Sequence, residues 1–432
     1  MLQEEMEKLL QYVWRFQLCG DSPLKTITGE EVTILDTGEY NIHAGADFIG
    51  AEILVNGLKQ KGDVEVHISS SDWYAHKHEQ NPAYDSVILH IVSQYNKEIF
   101  NSKGERIRQM ELPISKHLID EVEPFLIHKI FHPCSKYINT FPVDFIDSLK
   151  SNLLEERMNL RCKEIQELLK ECNLGWEEVL YIRLMRAIGT GINGKPFEKL
   201  ARSLPFSILL KHSSNLFQME ALLLGQAGFL EQENRGDNSY KKELFKEYQF
   251  LRKKYNLVPI DRFLWKMLRI RPSNFPHLRI AQMASFYFCN PVSMLKRFLE
   301  QPCEKELIQI FSCTPSPYWQ KYFSFSEETQ NHKGKMGKTT IYLLIINAVV
   351  PVLYAYAKSS NQEEIAQKCL RWLQIISPEE NYYTKEWERI GIKCLHAGDS
   401  QAILQLENEY CKKKNCLFCS IGSRVFSQLR ED

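Results

Sequence analysis

ADFIGAEILVNGLKQKGDVEVHISSSDWYAHKHEQNPAYDSVILHIV, residues 46–92, is the stretch on which the reading of the fold turns. Acids and histidines are packed closely here, between two runs with strand character. Val64, Val66 and Ile68 alternate with Glu65, His67 and Ser69. A strand over 62–69 therefore puts the apolar set on one face and the polar set on the other. Residues 87–94 alternate likewise, Val87, Leu89 and Ile91 against Ile88, His90 and Val92. Between them, 70–78 reads as a helix. Upstream, Val32–Leu35 and Ala51–Val55 read as strands, with a turn at Asp36-Thr37-Gly38 and Asn56-Gly57 opening a connection to Lys61. Leu9, Leu10, Val13 and Phe16 recur at helical spacing and predict a leading helix. The order is helix, three strands, helix, strand, with a short hairpin expected over 99–110. The expected fold class is α+β, a small mixed sheet followed by a larger all-helical region.

The remaining 300 or so residues carry irregularly spaced amphipathic helices without a fixed repeat. Domain boundaries are read at 1–124, 125–398 and 399–432, and residues 234–239 read as a polar loop. The chain has 432 residues, 44% hydrophobic and 25% charged, which is globular rather than disordered. Lys+Arg and Asp+Glu balance at 54 each, so any basic surface must be local. The start of the chain lacks a basic segment followed by an apolar one, so no secretory signal is expected. Twelve cysteines then fit a reduced, cytoplasmic protein. The most apolar run, 341–357, is at the short limit of a membrane span and carries Asn347 and Pro351. It reads as a buried helix, and no membrane partner is expected.

Two carboxylates organise the expected chemistry. Asp47 precedes one strand, and a hairpin-like connection brings it toward Glu65 and His67 on the next. Paired carboxylates suit Mg²⁺ or Mn²⁺, and such an ion polarises a phosphoryl oxygen and activates water. The competing reading is an exposed polar strand face. Asp63, Asp72, His76, His78 and His90 are candidates to orient the ligands or to replace them. On a helix Asp72 and His76 share a face at i,i+4, so Asp72 could orient His76; alternatively Ser71 or Asp72 is an N-cap. Glu65, His67, His76, His78 and His90 could instead assemble a zinc or other transition-metal site.

Asp, a strand pair, Glu-x-(Lys or similar), a helix and a further strand resemble the restriction-endonuclease-like PD-(D/E)xK core. That resemblance implies Asp47 and Glu65 as metal ligands, with His67 where a lysine normally stands. The substitution matters, because histidine is only partly charged near neutral pH. The whole chain also resembles an uncharacterised bacterial family, domain of unknown function 2851. The segments that carry this are GADFIGAEI, GDVEVHISSSDWYAHKH, YDSVILHIV, LLLGQAGFL, RPSNFPHLRIAQMA and YCKKKNCLFCSIG.

Three other features bear on function. Residues 251–280 carry Arg252, Lys253, Lys254, Arg262, Lys266, Arg269, Arg271 and Arg279 against Asp261, with Phe263, Trp265 and Phe275 interleaved. Such a segment could neutralise phosphates and stack bases, or be a solvated helix face. Cys411, Cys416 and Cys419 have metal-ligand spacing for Zn²⁺ or part of an iron–sulfur cluster, with Lys412–Lys414 favouring thiolates. Cys394 or His396 is the expected fourth ligand. Residues 332–339 end like a phosphate-binding loop, but His332 stands where glycine is required. The preferred expectation is a divalent-metal-dependent nuclease acting on DNA or RNA, with Asp47, Glu65 and His67 catalytic. The alternatives are a non-catalytic nucleic-acid- or protein-binding scaffold with a structural cysteine site, and a hydrolase with a histidine-rich metal site.

Overall fold

The computed structural model describes residues 3–18, 23–41, 44–112, 114, 116–127, 132–172, 175–231, 238–300, 304–326, 328–329 and 332–431. Residues 234–237 of the expected polar loop lie outside them. Helix α1 (Gln3–Arg15) buries Leu9, Leu10, Val13 and Trp14, the face its spacing marks as apolar. A seven-stranded sheet follows: β1 (Leu24–Lys25), β2 (Glu31–Asp36), β3 (Glu39–Tyr40), β4 (Phe48–Val55), β5 (Leu58–Ser69), β6 (Val87–Gln94) and β7 (Gln109–Glu111). Its order is β1-β2-β4-β5-β6-β7, and β3 pairs with β4.

The hairpin joining β4 to β5 is tighter than the sequence reading allowed. Asn56 and Gly57 both take positive φ, 49° and 80°, and Val55 pairs directly with Leu58. Two such residues make the two-residue turn whose twist matches the strands. β5 therefore starts at Leu58 rather than Gly62.

β5 and β6 are parallel, with Glu65 opposite His90 and His67 opposite Val92. β7 continues the parallel set, with Gln109 opposite His90. The expected hairpin over 99–110 is reduced to one bridge, Phe100 with Arg106. The crossover from β5 to β6 is helix α2 (Asp72–Ala75) and two single 3₁₀ turns, His78–Gln80 and Pro82–Tyr84. The helix expected through residue 78 stops at Ala75. One turn suffices to bury Trp73, whose indole donates to Phe100 O at 3.1 Å. Lys77 then enters the left-handed region, φ 61°, and turns the chain back.

The chain divides into two units, 1–149 with 389–392 and 405–432, and 150–388 with 393–404. This differs from boundaries at 124 and 399, because the C-terminal helix Ser420–Glu431 belongs to the first unit. Its Phe426 ring lies 4.7 Å from Tyr12 and 5.0 Å from Phe125. Helix α3 (Lys116–Ile127) also belongs to this unit. The second unit is helical and opens with most of α4 (Val143–Glu171), α5 (Trp176–Ile188) and α6 (Thr190–Ser203). The helical run Lys338–Ser359 is long and apolar enough to span a membrane, but most of it is buried within the unit, as a core helix would be. Inside it, Ile345–Val349 widens into a π turn just before Pro351. A proline has no N–H to return to the carbonyl four residues back, here Asn347.

Candidate functional site

The β4–β5 pairing sets Phe48 opposite Val64, which brings Asp47 beside Glu65. The two residues lock each other. Asp47 N donates to Glu65 Oε2 at 3.0 Å, and Val66 N donates to Asp47 Oδ2 at 3.1 Å. The Gln11 side chain also hydrogen-bonds Asp47, and Gln11 is held in turn by Tyr40 Oη donating to its Oε1 at 3.1 Å. Asp47, Glu65 and His67, paired from spacing alone, are thus brought to one place.

The crossover adds two more residues. Regular helix would set His76 and His78 about 200° apart. The left-handed turn at Lys77 returns His78 to the same point, and its ring stacks on Tyr84 at 3.8 Å and on His67 at 5.3 Å. His67 Nε2 lies 3.1 Å from His76 Nδ1 and 3.4 Å from Glu65 Oε1, and His78 Nε2 is also 3.4 Å from Glu65 Oε1. The ligand atoms of His67, His76 and His78 all fall within 4.8 Å of one another. Four donors about 2.0–2.2 Å from a tetrahedral ion stand about 3.3–3.6 Å apart; the two Glu65 separations of 3.4 Å match this, and the His67–His76 separation is slightly shorter at 3.1 Å. His78 Nε2 is buried and makes no hydrogen bond, which leaves its lone pair or proton facing this space.

A hydrogen-bond chain fixes how His67 presents itself. Gln109 Nε2 donates to Lys97 O at 3.0 Å, so its Oε1 faces His90 Nδ1 at 3.4 Å as an acceptor. A neutral His90 then carries its proton on Nδ1 and accepts at Nε2, which is 2.9 Å from His67 Nδ1. His67 must carry its proton on Nδ1, and its Nε2 lone pair points at Glu65, His76 and His78. This is the orientation a metal-ligating imidazole takes when its other nitrogen is engaged. Gln109 was not marked in the sequence; it becomes visible only once β7 pairs in register with His90.

The electrostatics fit a missing positive charge. Glu65 is 5% exposed, His67 2%, His78 7% and His90 0%, while His76 is exposed. Burial pushes the Glu65 carboxyl up to about 8. Burial, and then the neighbouring Glu65 charge, lifts Asp47 to about 7. Burial holds His67 down near about 2 and His90 near about 3, and lowers His78 too. Near neutral pH the His67, His78 and His90 imidazoles are therefore uncharged, which leaves His67 and His78 able to ligate.

The other acids do different work. Asp63 accepts from Gly50 N at 2.9 Å and from Ser86 Oγ at 2.5 Å. Asp72 does not orient His76; its Oδ2 accepts from Ser69 N at 3.0 Å and pins the start of the crossover. The basic segment is dispersed. Arg252, Lys253 and Lys254 are exposed in the last turn of the helix Ser239–Tyr255, where cations complement the helix dipole. Arg262 lies over the Phe263 ring, and Arg269 and Arg271 are exposed. Arg279 is buried, donating to Gln282, Asn274 and Thr340, so it is unavailable to phosphate. Trp265 is buried and donates to Ala227 O at 2.8 Å, so it cannot stack on a base. His332 stacks on Phe323 at 4.2 Å and accepts from Gly334 N.

A second cluster lies in the same unit. His132 Nε2 is 2.6 Å from Glu407 Oε1, and the ligand atoms of His132, Glu407 and Cys411 fall within 4.8 Å of one another. Cys134 is two residues from His132, and its thiol feels Cys416, Cys419 and Glu407. It joins Cys411, Cys416 and Cys419 as the fourth cysteine; Cys394 and His396 belong to the helical unit. Lys412–Lys414 do not favour thiolates. Burial raises the Cys134 and Cys411 thiols strongly and takes Cys416 to about 12, while Lys412 and Lys413 turn to Asn408 and Glu409.

No curated protein and no solved structure matches the chain. A family model does match, over residues 7–382, and this range takes in the Glu65–His67–His76–His78 cluster. With most of its length matched, the chain belongs to the family described as protein of unknown function DUF2851.

Proposed function

We propose that Glu65, His67, His76 and His78 hold a divalent transition-metal ion, and that the N-terminal unit uses it to hydrolyse phosphodiester bonds of DNA or RNA. The observation that carries this is the convergence of the His67, His76 and His78 ligand atoms within 4.8 Å of one another, with Glu65 Oε1 3.4 Å from both His67 Nε2 and His78 Nε2 and His78 Nε2 buried and unbonded. A nitrogen-rich donor set favours zinc, iron or nickel over the magnesium expected from two carboxylates. When bound, such an ion acts as a Lewis acid on a phosphoryl oxygen and acidifies water.

The protein's own groups have separable tasks. Gln109 and His90 hold His67 in its ligating tautomer. Asp47, lifted to about 7 by burial beside Glu65, is the group suited to take and return a proton near neutral pH. Glu65, His67 and His78 are buried, and exposed His76 marks the side from which a substrate enters. The core order α1, β2, β4, β5, α2, β6, with Asp47 at the entrance to β4 and Glu65 on the adjacent β5, supports the choice of a phosphodiester bond. Cys134, Cys411, Cys416 and Cys419 are the proposed holders of a second, structural zinc ion or iron–sulfur cluster.

A second reading is a purely structural metal in a binding scaffold, favoured by four protein donors that leave no open position on a tetrahedral ion. Metal analysis and cleavage of labelled DNA and RNA with Zn²⁺, Mn²⁺ or Mg²⁺ separate the two, beside Glu65→Ala and His78→Ala. Loss of metal together with a drop in cleavage of about 100-fold or more in both variants is expected. Bound metal without cleavage selects the structural reading. Cleavage that persists in Glu65→Ala sinks the site.

A further inference from the structure

The helical unit contains a cavity of about 510 Å³ with an unusual charge balance. Arg161 of α4, Arg183 and Arg186 of α5, Lys195 of α6, and Lys266 all line it. One wall comes from the π turn ahead of Pro351. There Arg161 donates to Asn347 O at 3.4 Å and to Asn347 Oδ1 at 3.0 Å, both neutral acceptors. Arg183 has Glu164 only at 3.7 Å, and its Nε is buried without a hydrogen-bond partner. Arg186 pairs with Glu198, which Arg202 also claims. Glu379 is the one carboxylate in the lining, held by Asn347 and Gln401 at 3.4 and 3.3 Å. Among the described residues, the five cations therefore meet three carboxylates, Glu164, Glu198 and Glu379, an excess of two positive charges.

Burying guanidinium groups is expensive unless anions meet them. Burial together with like-charged Arg157 and Arg183 pushes Arg161 down to about 9, outweighing the opposing pull of Glu164 and Glu379. The cavity is also lined by the first residues of α6, Thr190, Gly191 and Ile192, whose amides have no intrahelical acceptor and sit at the positive end of the helix dipole. Gly189 makes the turn from α5 possible, because a Cβ there would lie 2.6 Å from both Asn193 O and Phe197 Cδ2. The volume is of the size small-molecule sites occupy, about 300–1,000 Å³. Arginine forks suit phosphate geometry in particular.

We propose that this cavity binds the phosphate dianion of a small phosphomonoester, such as a mononucleotide or a sugar phosphate. Two excess charges match a dianion, and the planar arginines and helix amides match its oxygens. The test is calorimetric titration of the full chain with a 5′-mononucleotide, glucose 6-phosphate and inorganic phosphate, at ionic strength matched with KCl. A Lys195→Gln/Lys266→Gln variant is run in parallel; both lysines are exposed, so its fold should survive and circular dichroism checks that. Binding of inorganic phosphate and at least one ester, weakened by about tenfold or more in the variant, is expected. Equal affinity in the folded variant overturns the proposal, as does failure of all three probes to bind. A labelled oligonucleotide that binds while phosphate and both esters do not would also overturn it, in favour of a nucleic-acid surface.

Discussion

The sheet cluster and the helical cavity are opposite cases of one problem. Around Glu65 two carboxyls are pushed up and two histidines far down, as burial without a compensating cation requires. Around Arg161 the guanidinium is pushed down by burial and by other arginines, with Glu164 and Glu379 too weak to offset them, as an incompletely compensated cation requires. A fold keeps such arrangements against their desolvation penalty when something outside the chain completes them. The difference lies in the donors. Three imidazoles gathered within 4.8 Å and a carboxylate 3.4 Å from two of them suit one ion, whereas guanidinium forks and helix amides spread around a cavity suit a polyatomic anion.

The sharpest way to break that contrast is to strip the metal. At a free metal concentration 100 times its dissociation constant, binding contributes about 2.7 kcal/mol. Chelation at pH 8 should therefore lower the melting temperature by roughly 5–10 °C. The pH dependence of the stripped protein follows from the shifts. Glu65 and Asp47 have folded pKa values raised to about 8 and about 7, so their contribution is fully present below about 4 and is lost as pH rises through 7–8. His67 and His90 are depressed, so theirs is present above about 6.5 and is lost as pH falls from there. Stripped protein should be most stable near about pH 6, and the gain from added metal should grow from pH 6 to 8. A metal effect on melting that is flat across this range would count against Glu65 as a ligand.

Replacing the carboxyl inverts the sign. Glu65→Gln should abolish binding at this site, yet stabilise the stripped protein at pH 9 by on the order of 2 kcal/mol, because it removes a buried negative charge. Denaturant unfolding of both proteins without metal reads this directly. Destabilisation at pH 9 would mean that the carboxylate already has a cation within the chain. A smaller effect is expected one layer out. Gln109→Leu touches no ligand but frees His90, and through it the His67 tautomer; metal affinity should fall about 10- to 100-fold with the fold intact. Unchanged affinity would show that His67 is oriented by packing alone.

Much of this arrangement was legible beforehand, for identifiable reasons. Strict alternation over 64–69 placed Glu65 and His67 on one face, and the short β4–β5 connection placed Asp47 beside them. Period two leaves little freedom once one face is apolar. What could not be read was anything set by a break in periodicity. The left-handed Lys77 brings His76 and His78 together, and a regular helix through 78 predicts the opposite. Register across parallel strands, which recruits Gln109, and the return of Cys134 to a cluster almost 280 residues later depend on long-range packing with no local signal. The cationic cavity is spread from residue 161 to 379. The charges of the basic stretch 251–280 are conspicuous because they are adjacent in sequence, yet of that set Lys266 lines the cavity and the others do not.

The smallest effect concerns Asp72, and it tests how the crossover works. If Asp72 oriented His76, removing it would weaken metal binding as strongly as Gln109→Leu. Its carboxylate instead accepts from Ser69 N at 3.0 Å, a bond that holds the end of β5 against the start of α2. Asp72→Ala should therefore remove one charge-assisted hydrogen bond, about 1 kcal/mol of stability. Trp73, fully buried with its indole donating to Phe100 O, keeps α2 seated without it. A metal content unchanged from the parent and an affinity at this site within about threefold are expected, because His76 and His78 are aimed by the turn at Lys77 rather than by a neighbouring acid. A larger loss would transfer the aiming role to Asp72 and make the single helical turn, not the left-handed residue after it, the element that builds the site.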